Sequence, residues 1–237
     1  LPVVTWIANN LDLIGQLMLA HLATALPPIV LSFVISVPIG WLANRSSLGR
    51  GFLKSFSGLL LVGFALLYAI PSLPLFIVLP VLIGTSLRSP VNVVVALTLY
   101  GVALLVRSTA DGLASVDADI RQSATAVGFS TRGRFWLVEF PLAGPVLLAG
   151  LRVVVVSTVS LTTVGAVLGI PSLGQLFTDG IQRNIPEEIW TGIVLTIVIA
   201  LVLDGLVVLL GRILMPWTRV ATSRVRRGEP VPEAAVA

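Results

Sequence analysis

Side chains able to do covalent chemistry are scarce in this chain. It has one histidine, His21, and no cysteine, so no thiolate nucleophile, no imidazole pair and no Cys-based metal site can be assembled. The 11 acidic residues are scattered and supply no catalytic cluster. No Gly-x4-Gly-Lys-Ser/Thr phosphate loop is present, so ATP hydrolysis is not expected of this chain, and neither is a resident cofactor or metal. What remains is chemistry of contact. The polar stretch 113–144 contains Asp117, Asp119, Arg121, Gln122, Ser123, Thr125, Arg132, Arg134 and Glu139, which taken alone reads as a polar helical connection between apolar stretches. A few ionisable groups stand in apolar surroundings instead. Arg107 and Asp111 are four apart and could pair on a helix. Asp204 precedes Arg212 by eight residues, about 12 Å of helical rise.

The elements that position these groups follow from composition. Of 237 residues, 56% are hydrophobic and only 11% charged, with a mean hydropathy of +1.03. A soluble domain carries about 25% charged residues, so an ordinary water-soluble protein is excluded. Five stretches have the roughly 20 apolar residues that a spanning helix needs: 19–43, 53–84, 91–112, 145–169 and 189–215. Before them, Trp6, Ile7, Leu11, Ile14 and Met18 can share one helical face, which predicts an amphipathic interfacial helix over 1–18. The second stretch would be about 48 Å long as one helix, more than the hydrocarbon core of about 30 Å. Pro71, Pro74 and Pro80 interrupt it, each removing a helix hydrogen bond.

Charge sorting decides whether that stretch is one broken span or two. With five spans and the N-terminus outside, 13 of the 15 basic residues fall on the inner side, leaving Arg88 and Arg183 outside. The inner set is Arg45, Arg50, Lys54, Arg107, Arg121, Arg132, Arg134, Arg152, Arg212, Arg219, Arg224, Arg226 and Arg227. Splitting the second stretch would put Arg45, Arg50 and Lys54 outside. The positive-inside bias therefore favours an all-α integral membrane protein with five transmembrane helices, the second broken. The core is 19–215, with an internal loop at 113–144 and a basic, partly disordered cytoplasmic tail at 216–237. The net charge of +4 and pI near 10.6 then record topology and require no nucleic acid. Within this frame Arg152 is expected to snorkel to the inner headgroups, and His21 reads as an outer-interface residue. Asp204 could serve a gating or proton-linked role, or be a helix contact or a carboxylate close enough to the inner interface for water to reach it. An acid without a basic partner makes a poor relay.

The internal loop has its own signals. Ser115 or Asp117 could cap a helix over 118–127, with Gly128 in the C-terminal position. A second amphipathic piece, Phe135 to Phe140, leads toward the next span, with Pro141 as punctuation. Gln122-Ser123-Ala124, three residues, Gly128, nine residues and then Val138-Glu139-Phe140-Pro141 reproduce the spacing of a known signature. It resembles the Glu-Ala-Ala, Gly, Ile-x-Leu-Pro loop of permease subunits of ABC importers. Gln for Glu removes a carboxylate, and with it any salt bridge that Glu would make. Tyr68-Ala69-Ile70-Pro71-Ser72-Leu73 is similar to the Thr-Ile-Pro-Ser-Leu run of permeases for glycine betaine, choline and carnitine. Leu168 to Phe177, followed by Gly180-Ile181, resembles a Gly-rich run in the same family. Permeases for methionine share the five-span plan and a Ser-Ile-Pro break.

This resemblance implies a type I, methionine-importer-like permease fold in the inner or plasma membrane, with a cytoplasmic C-terminus. It implies a coupling helix bearing Gln122, Ser123, Ala124, Gly128 and Pro141 that fits a separate ATPase. Its partners would be a pair of ATP-binding subunits that hold the ATP and Mg, a second permease copy or paralogue, and an extracytoplasmic binding protein. A quaternary ammonium has no proton to donate, so aromatic faces are its natural partners. Tyr68, Pro71, Ser72 and Tyr100 could thus line a translocation path; for the two tyrosines, packing or lipid contact is the other reading. An ion-coupled secondary transporter would more often show paired intramembrane polar groups or two similar halves, and neither is evident.

Overall fold

The computed structural model describes residues 2–47 and 52–218. All regular structure among them is helical. A short helix α1 (Pro2–Asn9) is followed by α2 (Leu11–Ser47), α3 (Phe52–Ala69), α4 (Ser72–Ile83) and α5 (Pro90–Ala114). After the short α6 (Ala118–Ala126) and α7 (Thr131–Arg134), a π-helical turn (Phe135–Glu139) leads into α8 (Phe140–Thr162). A 3-10 segment (Thr163–Leu168), α9 (Gly174–Arg183) and α10 (Pro186–Leu214) complete the order. Four helical runs are long and apolar enough to cross a membrane: α2, α5, the run Thr131–Leu168, and α10. The pair α3–α4 makes a fifth if counted as one span, bent by 103°.

The bend has a single cause. Proline disfavours the helical conformation in the residue before it, and Pro71 has no N–H to offer. Ile70 accordingly leaves the helix, Pro71 is extended (φ −61, ψ 140), and α4 restarts at Ser72. Of the three prolines expected to interrupt this stretch, only Pro71 does so. Pro74 sits in the first turn of α4, where its N–H would have no helical acceptor, and Pro80 lies inside α4.

α5 is the buried hub, packed on α2 above all and also on α8, α3 and α4. Small residues let these backbones approach, the usual device where lipid removes the hydrophobic drive between helices. A Cβ on Gly101 would lie 2.5 Å from Ser32 Cβ, one on Gly40 2.5 Å from Thr109 Cβ, and one on Gly150 2.6 Å from Ser108 Cβ. These three contacts tie α5 to α2 on one side and to α8 on the other. Buried Asn44 adds a hydrogen bond from Nδ2 to the Ala110 carbonyl (3.3 Å). α10 packs on α8 and α9 but leaves a row of large aliphatic side chains uncovered, as a lipid-facing helix should.

Two boundaries differ from expectation. Residues 11–18 are the first turns of α2, so the separate N-terminal helix covers only Pro2–Asn9. Nothing in 11–18 breaks a helix, and Leu17 is buried in a cluster with Val159, Leu173, Leu176 and Ile199. Trp6 packs on that cluster, so α1 is docked on protein. Residues 135–140 form no separate amphipathic piece: the chain passes through Pro141 into α8 without interruption. The π turn allows this. Phe140 N–H bonds back to the Phe135 carbonyl, and Pro141 falls in the first turn of α8, where proline is tolerated. Arg50 and the basic residues at 219, 224, 226 and 227 lie outside the described residues, as does nearly all of the tail expected at 216–237.

Candidate functional site

At one end of the bundle, α6 and α7 form an elbow whose geometry is determined residue by residue. Asp117 caps α6, its carboxylate accepting from Asp119 N–H (2.8 Å); the alternative cap, Ser115, instead donates to the Gly112 carbonyl (2.7 Å). At the other end Gly128 has φ +99. Its N–H bonds to Thr125 O (3.0 Å) and Phe129 N–H to Ala124 O (3.1 Å), the paired bonds of a Schellman stop with glycine in the left-handed position. The chain then reverses into α7, capped by Ser130 Oγ accepting from Gly133 N–H (3.2 Å).

Arg134 locks the two arms together. Its Nε donates to Glu139 Oε1 (2.7 Å) and one terminal nitrogen donates to Thr125 Oγ1 (2.8 Å). Glu139 is nearly buried, so this charge-assisted bond is held away from water. The carboxylate missing at Gln122 is therefore not needed inside the elbow. Gln122 and Ser123 are exposed, Ala124 is buried, and Pro141 is half-buried in α8. Three large apolar side chains also face outward from the elbow: Ile120, Val127 and Phe129, with Val127 79% exposed. These exposed apolar side chains on an otherwise polar loop were not singled out by the sequence.

The base of the elbow is wedged into the bundle. Phe135 is buried with Val37 of α2, Leu113 of α5, Val116, and Ala143 and Leu147 of α8. Trp41 packs edge-on against it, ring centroids 5.8 Å apart, and Arg45 lies over Trp41 at 5.5 Å. Close-packed interiors transmit displacement because they have no free volume to absorb it. A push on the elbow therefore reaches three long helices through one aromatic side chain.

The second assembly is at the break between α3 and α4. A helix end leaves carbonyls without partners, which is costly inside a membrane. Tyr100 of α5 supplies one, its hydroxyl donating to the Ile70 carbonyl (2.5 Å). Tyr68 lies edge-on to Tyr100, centroids 5.8 Å apart and planes at 80°. Tyr100 is buried, whereas Tyr68 is 44% exposed. The two tyrosines, 32 positions apart in sequence, thus meet beside the break with divided roles: Tyr100 is a post that holds the Ile70 carbonyl, and Tyr68 offers an open ring; Pro71 and Ser72, the other two candidates, form the break itself.

The ionisable groups within the helices depart from expectation at Asp204 and His21. Asp204 has a basic partner: Arg152 Nε and a terminal nitrogen donate to its two carboxylate oxygens at 2.7 and 2.8 Å. Arg152 is therefore tied to α10 by two charge-assisted hydrogen bonds. It sits 12 residues into α8, about 18 Å from Phe140. His21 is fully buried, not interfacial. Its ring lies against the Val159 backbone, and neither nitrogen makes a hydrogen bond of normal geometry. Arg107 and Asp111 do approach as expected, at 3.8 Å, but both are exposed, so the pair contributes little. At the opposite end of the bundle from the elbow, Arg183 pairs with the buried Glu188 (3.0 Å), which the sequence did not signal. No group of three or more His, Cys, Asp or Glu side chains suited to a metal ion occurs among the described residues.

A family model described as "Binding-protein-dependent transport system inner membrane component" matches residues 36–220. The choline transport system permease protein OpuBB of Bacillus subtilis is 27% identical over 196 residues, 83% of this chain and 86% of that protein. The osmoprotectant import permease protein OsmY of Salmonella typhimurium is 30% identical over 213 residues, 89% of this chain and 86% of that protein. Among solved structures, a chain of the MetNI methionine ABC transporter in an inward-facing conformation superposes with a TM-score of 0.75 at 20% identity. It covers 87% of this chain and 98% of its own length, a likeness of fold.

Proposed function

Given that this chain belongs to the binding-protein-dependent transport system inner membrane components, we propose that it is the permease subunit of an ATP-driven importer for osmoprotectants of the quaternary-ammonium class. The observation that carries the reading is the elbow. It is a capped helix stopped by a left-handed glycine, locked by Arg134, wedged through Phe135 into α2, α5 and α8, and fronted by exposed Ile120, Val127 and Phe129. Such a part suits a separate ATPase that presses on it. Gln122, Ser123 and Ala124 lie on the helix that would enter the ATPase, Gly128 sets the exit, and Pro141 starts the return into the membrane.

In this reading the ATPases, two per transporter, bind the ATP and Mg, and this chain holds no cofactor. ATP binding draws the two ATPases together, the elbows move with them, and two permeases rock between inward- and outward-facing states. The second permease is a copy of this chain or a paralogue. An extracytoplasmic binding protein delivers the solute. The elbow faces the cytoplasm, which puts the C-terminal end of α10 inside and the N-terminus outside. The charge sorting supports that orientation.

The solute class rests on two supports. Relatives of this chain carry choline and osmoprotectant transport in their names. The open Tyr68 ring, braced by Tyr100, offers a cation–π face at the helix break. The test is uptake by the reconstituted complex of permease, ATPase and binding protein in proteoliposomes. ATP-dependent accumulation of labelled glycine betaine or choline, not reduced by excess methionine, is the expected result. Accumulation of methionine in preference to either would overturn the solute assignment, and uptake with no nucleotide-binding subunit present would overturn the permease assignment.

A further inference from the structure

The Arg152–Asp204 pair lies in the wrong place for a lipid-facing contact. Arg152 is about 18 Å from the start of α8, and Asp204, ten residues before Leu214, is about 15 Å from the end of α10. Both residues thus lie several turns inside helical runs long and apolar enough to cross a membrane. The pair joins the two helices across 52 residues of sequence, yet it is not enclosed by them: the Arg152 side chain is 48% exposed and that of Asp204 18%. Two of the five guanidinium N–H groups bond to Asp204, which leaves three without a protein acceptor. Facing acyl chains, three charged donors would have nothing to bond to. Ionisable groups at this depth normally face protein or water. Around the pair, Ala149, Val153, Val156 and Ser157 shape a shallow open cavity that brings a hydroxyl-bearing residue beside the charges.

We propose that Arg152 and Asp204 form a solute-contacting element on the wall of a water-filled passage, where they take a zwitterionic solute bearing a quaternary ammonium and a carboxylate. The pair is itself a fixed zwitterion. A betaine lying antiparallel to it brings its carboxylate to the three remaining guanidinium donors and its cationic head to the outer side of the Asp204 carboxylate, with the protein pair intact. A purely cationic solute gains only the second contact. The proposal deepens the importer reading and depends on it for the identity of the solute, though not for the presence of water.

The chain has no native cysteine, so single cysteines can be placed without altering the background. In the assembled importer in proteoliposomes, Val153→Cys and Ser157→Cys flank the pair. Val202→Cys and Leu209→Cys, on the side of α10 away from Asp204, serve as lipid-facing controls. The probe is a charged, water-soluble methanethiosulfonate. The expected result is faster modification at 153 and 157 than at the controls in at least one nucleotide state, and slowing by excess glycine betaine. The double variant Arg152→Gln with Asp204→Asn, which keeps shape and loses charge, should raise the KM for glycine betaine about tenfold and that for choline less. Modification at 153 and 157 no faster than at the controls would overturn the aqueous passage. Modification unaffected by betaine, or equal KM changes for the two solutes, would overturn the solute contact. Failure of the importer to move either solute would instead count against the solute class, since the labelling pattern does not depend on it.

Discussion

Replacing Gly128 with valine isolates the elbow from everything around it. A Cβ at this position would meet no atom within 4 Å, so the substitution creates no clash with a neighbour. Its whole effect comes from the backbone. With φ at +99, a β-branched residue holding the native turn is strained by about 1–3 kcal/mol. The chain can relieve the strain by returning to negative φ. That would break the bonds from Gly128 N–H to Thr125 O and from Phe129 N–H to Ala124 O, each contributing about 0.5–1.5 kcal/mol net. Both routes cost a similar amount. At about 2 kcal/mol, the closed elbow loses roughly a factor of 30 in population relative to open forms. The long helices contain none of these atoms, so insertion and expression should be unchanged. The assay is the ratio of solute accumulated to ATP hydrolysed in proteoliposomes, which should fall for Gly128→Val while the ATPase remains bound. Gly128→Asn, better tolerated in the left-handed region, should lie between glycine and valine. A native transport-to-hydrolysis ratio in the valine variant would falsify the backbone account, and so would equal damage from asparagine and valine.

Two further predictions concern the bundle. Tyr100→Phe removes a part-buried hydrogen bond to the Ile70 carbonyl and should destabilise the solubilised protein by about 0.5–1.5 kcal/mol, read as a lower midpoint in a thermal melt. Tyr68→Ala should leave the melt nearly unchanged and weaken apparent solute affinity, so a melt lowered equally by both variants would refute the division of roles. Gly101→Ala drives a methyl to within 2.5 Å of Ser32 Cβ and should destabilise by about 1–3 kcal/mol through overpacking. Adding Ser32→Gly should recover most of that loss in the same melt; no recovery would mean that the α2–α5 contact does not limit stability.

Much of this was legible in one dimension because the relevant signals are local. Apolar runs located all five membrane elements, and the Pro71 break follows from what proline does to its own residue and the one before it. Part of the elbow was legible for the same reason: the cap, narrowed to Ser115 or Asp117, and the stop at Gly128 lie within a dozen or so residues, whereas the Ser130 cap of α7 emerged only in the structure. Local signals also misled. Three prolines in one stretch looked alike, yet Pro74 falls in the first turn of α4, where it removes no bond, and Pro80 lies inside α4 without ending it. Pro141 looked like a stop, but a π turn just before it absorbed the missing donor.

By itself the sequence determined that the chain is helical and membrane-embedded, where its apolar runs lie, and where its longest polar connection falls. Each of these is a property of composition in a window or of spacing along a few turns. Only the tertiary structure decided which distant groups meet. Tyr100 reaches Ile70 across 30 residues, and Arg152 reaches Asp204 across 52. His21 is sealed inside the bundle although it stands near the end of an apolar run. Hydropathy registers that a charge lies within a membrane segment but not the direction in which its helix turns it. That direction is set by packing. Here α5 draws α2 and α8 close through Gly40, Gly101 and Gly150, and α10 comes to rest against α8 with Asp204 at the level of Arg152.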